Sequence, residues 1–273
     1  MSVKIIAEIG WNHMGDMVLA EEMIRAASES GADMVKFQYW DPKFLRPGPW
    51  DDDGRIEIYR KAALDSEKIQ ILQKISSENN VEFLISVFGT IGAKFIKDLD
   101  IDIIKIPSHE TVNIDLINFC AKNFNYVYFS GGASLKGEIE EANEILKKGS
   151  CEYNLMHCVS SYPCGVEFAN IKRILWLKEL SANVGFSDHT DSSVVPAIAV
   201  SLGATVIEKH FTTDKNLPGR DNKFAFEPRE FKEMSENIRL AESSIIDRGI
   251  DFQEIERDTV ENYRGRWEPA DYE

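Results

Sequence analysis

The chain has 273 residues, 43% of them hydrophobic and 28% charged, the composition of a globular protein and a length close to the roughly 250 residues of one closed β/α barrel. Its formal net charge of -15 excludes a broad nucleic-acid surface, which needs clustered Lys and Arg; an anionic ligand would have to be held in a local basic pocket. No apolar run of about 18 residues occurs, which excludes a hydrophobic membrane helix.

The first residues, MSVKIIAEIG, enter a strand directly, without the apolar core and cleavage site of a signal peptide. Short apolar runs then alternate with longer amphipathic segments. The strand candidates are Val3 to Ile9, Asp33 to Phe37, Val81 to Ser86, Ile101 to Ile106, Tyr126 to Phe129, Tyr153 to His157, Ala182 to Phe186 and Thr205 to Glu208. Most are continuous hydrophobic runs, as expected of parallel strands buried on both faces. Between and after them, helical spacing predicts Met17 to Ser30, Ser66 to Asn79, Thr90 to Leu99, Asn113 to Asn123, Leu135 to Lys148, Glu167 to Leu180, Ser192 to Leu202 and Pro228 to Arg248. Gly31, Ser66 and Pro228 supply stop and start signals. Eight βα pairs with no spare strand predict a single-domain TIM (β/α)8 barrel over residues 1–248.

Two regions depart from the repeat. Trp40 to Arg60 is a long loop rich in Pro, Asp and aromatics, expected to be a lid or a subunit contact. Residues 249–273 form a polar, acidic tail, a loose end or docking arm. Cys120, Cys151, Cys158 and Cys164 are scattered and lack CxxC spacing, so they read as reduced structural thiols of a cytoplasmic protein.

Barrel active sites lie at the carboxyl ends of the strands, and the polar residues there can be taken in turn. They are Glu8, Asn12 and His13; Lys36 and Gln38; Ser86; Lys105, Ser108, His109 and Glu110; Ser130; His157, Ser160 and Tyr162; Ser187, Asp188 and His189; Glu208, Lys209 and His210. A lysine buried in a strand is costly unless an anion meets it. Lys36 and Lys105 are two such cases, each either half of an ion pair with a glutamate or part of an anion cage; Ser86, Ser108, Ser130 and Ser187 favour the cage. His13, His109 and His157 read as hydrogen-bonded core residues. His189 and His210, on adjacent strand ends, read as two ligands of a divalent metal with open coordination positions, which suits Lewis-acid catalysis better than a structural site. Glu8 and Glu110 are candidate acid and base groups or partners of the lysines.

In order and spacing, AEIGWNHMGD, GADMVKFQ, IKIPSHE, HCVSSYP, VGFSDHT, GATVIEKHFT and PGRDNKFAFEPREF resemble the barrel domain of the sialic acid synthases, the N-acetylneuraminate, legionaminate and pseudaminate synthase family, from about Ile6 to Arg239. The resemblance implies condensation of phosphoenolpyruvate with an aldose related to N-acetylmannosamine, releasing phosphate and giving a 2-keto-3-deoxy sugar acid. It implies that Lys36, Ser86, Lys105, Ser108, Ser130, Ser160 and Ser187 hold phosphoenolpyruvate. His189 and His210 would bind Mn2+ or Mg2+, Glu8, Gln38, Tyr162 and Asp221 would face the sugar, and Glu110 would transfer a proton. A homodimer is the implied assembly.

Departures from the family pattern mark where specificity would differ. The usual STGM reads SGGA, so Gly131 replaces a hydroxyl, and GPDH becomes GRDN, with Arg220 beside Asp221. The family's carboxyl-terminal antifreeze-like domain, which lends an arginine across the dimer, is expected to be absent. Arg220, Arg264 or Arg266, or a separate chain, would then substitute. Two other readings stay open: another phosphoenolpyruvate-aldose synthase making an octulosonate- or heptulosonate-like acid, and a non-catalytic barrel subunit.

Overall fold

The structure is a computed structural model, and it describes residues 2–48 and 51–267. Eight strands close into a parallel barrel in chain order: β1 (Lys4–Gly10), β2 (Met34–Tyr39), β3 (Glu82–Val87), β4 (Ile103–Ile106), β5 (Tyr126–Ser130), β6 (Glu152–Cys158), β7 (Val184–Asp188) and β8 (Val206–His210). Strand β8 pairs with β1, Glu8 lying opposite His210. The TIM barrel expected from the alternation is the observed fold.

The helices are α1 (Met17–Glu29), α2 (Arg55–Ala62), α3 (Ser66–Glu78), α4 (Thr90–Lys97), α5 (Ile114–Asn123), α6 (Lys136–Lys148), α7 (Arg173–Leu180), α8 (Val195–Ser201), α9 (Pro228–Ser244) and α10 (Arg257–Asn262). Short side chains set several starts by satisfying amide groups that have no partner within the helix. Asp16 accepts from Val18 and Leu19 before α1, and Asp65 accepts from Lys68 before α3. Ser66 is therefore the first residue of α3, and Asp65 is its cap.

Outward-facing strand residues and the inner faces of the helices form one core, with Phe37, Phe129, Phe186, Phe211 and Phe231 buried in it. Inside the barrel a smaller apolar layer of Ile6, Met34, Leu84, Tyr128, Met156 and Val206 closes the amino-terminal end. Polar side chains stand above this floor, so the cavity opens only toward the carboxyl ends of the strands.

Several boundaries differ from expectation. Strands β7 and β8 continue two residues further, taking in Asp188 and His210. The segment from Glu167 holds a 3-10 turn, Val166–Phe168, and α7 begins only at Arg173. Helix α9 stops at Ser244. The long loop is partly ordered: it carries 3-10 turns and α2, whose Arg55–Ala62 run is mostly polar with a single buried residue, Ala62. That weak amphipathic pattern is why periodicity missed it; Pro49 and Trp50 of the same loop lie outside the described residues. In the tail, α10 buries no residue and only Val260 is partly covered, and residues 268–273 lie outside the described residues. No helix among the described residues is long and apolar enough to cross a membrane.

Candidate active site

Alternation along the strands brings the polar residues onto one inner wall. Register sets Glu8 beside Lys36, Gln38 beside Ser86, Ser86 beside Lys105, and Ser187 beside Glu208. They line a cavity of about 1750 Å3. Of the residues singled out from the sequence, Glu8, Lys36, Gln38, Ser86, Lys105, Ser108, Glu110, Ser130, Tyr162, Ser187, His189, His210 and Asp221 all line it. Ser160 is half-buried, its Oγ 3.8 Å from the Sγ of Cys158, which lines the cavity.

The base of the cavity is a buried charge network. Lys36 Nζ lies 2.8 Å from a Glu8 oxygen and 3.8 Å from Glu208, and Lys105 Nζ lies 2.9 Å from the other Glu208 oxygen. Ser187 donates to Glu208 at 2.9 Å, and Gln38 donates to Glu8 at 2.6 Å. Both lysines thus have the glutamate partners that the ion-pair reading required, while also lining the cavity.

Glu208 is the hub. Although burial opposes its charge, Lys105 and Lys36 hold its carboxyl down to about 2. Burial pushes the Glu8 carboxyl upward, against the pull of Lys36. Burial likewise lowers Lys105, whereas the carboxylates of Glu208 and Glu8 outweigh it and raise Lys36. Two ammonium groups and two carboxyl groups thus meet at the base of the cavity, which both lysines line. The sequence signal for Glu208 was its place two residues before His210 on the same inward face.

Hydroxyls and a glycine surround this floor. Ser130 Oγ is buried and has no hydrogen-bond partner among the described residues. Gly132 donates its N–H to Ser108 Oγ at 3.0 Å. A Cβ on Gly132 would lie 2.5 Å from Ser160 Oγ and 2.7 Å from Ser108 Oγ, so only glycine lets the β5 loop approach these two serines. Asn113 caps α5 through its carbonyl oxygen and donates its amide to Glu110 at 2.6 Å, which anchors that carboxylate at the rim.

The two histidines stand above the charge network with ring centroids 5.4 Å apart. Tyr162 packs against both, at 4.2 and 5.9 Å, and Phe224 against His210 at 5.2 Å. His189 Nδ1 lies 2.8 Å from the carbonyl of Val159, an arrangement that puts a proton on Nδ1; although burial opposes its charge, Cys158 at 3.8 Å draws the imidazole upward. Burial, with the charge of neighbouring His189, holds His210 well below the usual imidazole range, so it stays neutral. His210 Nδ1 has no hydrogen-bond partner among the described residues and lies 3.8 Å from Asp221, whose carboxyl burial raises to about 6. Among the described residues no group of three or more His, Cys, Asp or Glu takes a metal-ligating arrangement. Any ion held here would have two protein ligands and several open positions.

The other histidines separate. His13 and His157 are buried, His13 accepting from Gly15 N–H at 3.1 Å and His157 lying 2.7 Å from the carbonyl of Ala169. His109 instead lines the cavity. Trp11, Trp40, Tyr59 and Phe88 form an aromatic wall joined by ring contacts of 5.1 to 6.2 Å. Sequence reading passed over this wall because its members come from three separate loops. Of the three arginines, Arg220 reaches the cavity and pairs with Asp53 at 2.7 Å; Arg264 and Arg266 lie exposed on the tail.

A closed β/α barrel whose titratable groups converge on a cavity at the carboxyl ends of its strands has the architecture of a barrel enzyme. The particular group follows from comparison: the chain belongs to the NeuB family, whose model matches residues 23–249. It is 36% identical over 258 residues to the N,N'-diacetyllegionaminic acid synthase of Campylobacter jejuni, covering 89% of this chain and 77% of the relative. It is 32% identical over 274 residues to the pseudaminic acid synthase of Helicobacter pylori, covering 96% and 80%. The crystal structure of N-acetylneuraminic acid synthetase from Leptospira borgpetersenii, in complex with citrate, superposes with a TM-score of 0.88 at 31% identity, covering 96% of this chain and 91% of that one.

Proposed function

We propose that this enzyme condenses phosphoenolpyruvate with an aldose related to N-acetylmannosamine, releasing phosphate and yielding a sialic-acid-like 2-keto-3-deoxy sugar acid. The observation that carries this reading is the pair of buried lysines, Lys36 and Lys105, lining the base of the cavity beside Glu8 and Glu208 and ringed by hydroxyls beneath two histidines. A small dianion fits such a floor, because the ammonium groups and the unengaged Ser130 hydroxyl supply charge-assisted hydrogen bonds away from bulk water.

In the proposed reaction C3 of phosphoenolpyruvate bonds to the aldehyde carbon, water adds at C2, and phosphate leaves with its bridging oxygen. Lys36 and Lys105 hold the carboxylate and phosphate throughout, so that positioning supplies a large share of the rate. Glu8, Gln38, Tyr162 and Asp221 orient the sugar. Asp221, with its carboxyl near 6, can hold the proton bound for the new hydroxyl oxygen, and Glu110 at the rim can exchange protons with the water.

His189 and His210 fit a divalent ion, Mn2+ or Mg2+, because both are buried, His210 is held neutral, and the Nδ1–H of His189 is directed at Val159. When bound there, the ion would act as a Lewis acid on the aldehyde oxygen. A reduced, cytoplasmic setting and a homodimer belong to the same reading.

The binding step tests it directly. Calorimetric titration with phosphoenolpyruvate should show Lys105→Met weakening affinity by about tenfold to a hundredfold, the worth of one charge-assisted contact. Equal affinity in the variant would remove Lys105 from the anion site.

A further inference from the structure

Behind the barrel wall, on the face opposite the cavity, lies a second charged pair that the reaction does not touch. Asp188 ends β7 and Lys209 sits next to the end of β8, and the two are register partners. Their side chains meet at 2.7 Å, both buried, on the outward face of two strands whose paired Phe186 and Ile207 belong to the apolar core. The Lys209 ammonium also donates to the carbonyl of Thr190 and lies 4.1 Å from the Phe226 ring centroid. Asp188 accepts the Thr190 N–H at 2.9 Å and the Thr190 hydroxyl at 3.0 Å. One ammonium thus holds the residues on both sides of His189, and the same lysine is the chain neighbour of His210. Phe226, which covers it, donates its N–H to the carbonyl of His210 at 2.8 Å.

A buried ion pair in an apolar layer is a poor way to gain stability, because desolvation offsets most of the attraction. Its directional contacts do something apolar packing would not: they fix the backbone on either side of two side chains that must converge. From this geometry we propose that Lys209, with Asp188, is a positioning residue for the two-histidine site, setting the separation and orientation of His189 and His210 from behind the wall. The consequence for metal affinity rests on the reading of those histidines as metal ligands; the positioning itself does not.

Lys209→Met alone would leave Asp188 buried without its cation, so the deciding variant is the double substitution Asp188→Leu with Lys209→Met, apolar on both sides. Asp188→Asn is the milder companion, keeping the volume and weakening the charge. In metal-free protein labelled with 15N-histidine, the ring resonances of His189 and His210 should shift or broaden in both variants while that of His13 stays in place. With Mn2+, free-ion electron paramagnetic resonance should show affinity falling roughly 10- to 100-fold, as for loss of groups that orient metal ligands. Phosphoenolpyruvate affinity should fall less than Mn2+ affinity, since neither variant removes a side chain of the anion floor. Unmoved His189 and His210 resonances in a folded variant would overturn the proposal. If the wild-type protein takes up no Mn2+, the metal reading falls, and the resonances alone decide the positioning claim.

Discussion

At the residue scale, the site depends on charges held where burial opposes them, which makes their removal measurable. Replacing His189 or His210 with alanine should lower divalent-dependent turnover by about two orders of magnitude or more, the usual scale for losing one electrostatic contact to a transition state, with a folded barrel by circular dichroism. Full activity in either variant would rule the pair out. Asp221 and Glu208 make opposite contributions to stability with pH. Burial raises Asp221 from 3.8 to about 6, so its contribution is full below pH 3.8 and is lost as pH rises through 6. Asp221→Asn should therefore raise the unfolding free energy at pH 8, by up to about 3 kcal/mol, and change little near pH 3.5. Lys105 and Lys36 hold Glu208 down to about 2 from 4.5, so its contribution is present above pH 4.5 and fades as pH falls toward 2. Glu208→Gln, which leaves Lys105 without its carboxylate, should cost about 3–5 kcal/mol at neutral pH, read from denaturant unfolding. Most of these positions were legible in the sequence because a charged or hydroxyl residue ending an apolar run stands out. Glu208 as the shared partner of both lysines was not, because which carboxylate meets which ammonium depends on barrel closure.

At the element scale, the alternation of apolar runs and amphipathic segments carried the eight strands and most helices, since buried parallel strands and half-buried helices leave different periods. It failed where packing, not periodicity, makes the element. Helix α2 is one case: the loop before it is tied by Arg220 to Asp53 and by the Trp40 indole to the Tyr59 carbonyl at 2.9 Å. Strand β8 is another, its final Lys209 and His210 looking like loop residues until their partners in β7 and β1 are known. Helix α2 also meets the β1 turn so closely that Gly15, at φ +83°, would bring a Cβ to 2.0 Å from the Lys61 carbonyl oxygen. Gly15→Ala should push α2 and its aromatic wall away from the cavity, costing about 1–3 kcal/mol from backbone strain and overpacking together. Thermal unfolding would register that loss, and an unchanged midpoint would show that the contact yields freely.

At the scale of the whole molecule, the barrel encloses its charges between an apolar floor and an open rim. The described part of the tail adds little to that enclosure, since residues 249–267 are almost wholly exposed and bury no side chain. Ending the chain at Arg248 should leave the unfolding free energy within about 0.5 kcal/mol, whereas a large loss would mean that the tail is packed in the assembled protein. The central claim is that the floor and the histidine pair together serve one condensation. Its most direct measurement is phosphate release from phosphoenolpyruvate by the purified protein with Mn2+, across a panel of aldoses related to N-acetylmannosamine, with the products weighed by mass spectrometry. The account predicts aldose-dependent release matched mole for mole by a 2-keto acid with the mass of sugar plus pyruvate, abolished by chelation and lowered at limiting phosphoenolpyruvate by Lys105→Met. Phosphate release that no aldose stimulates, or a product lacking the added three carbons, would contradict it.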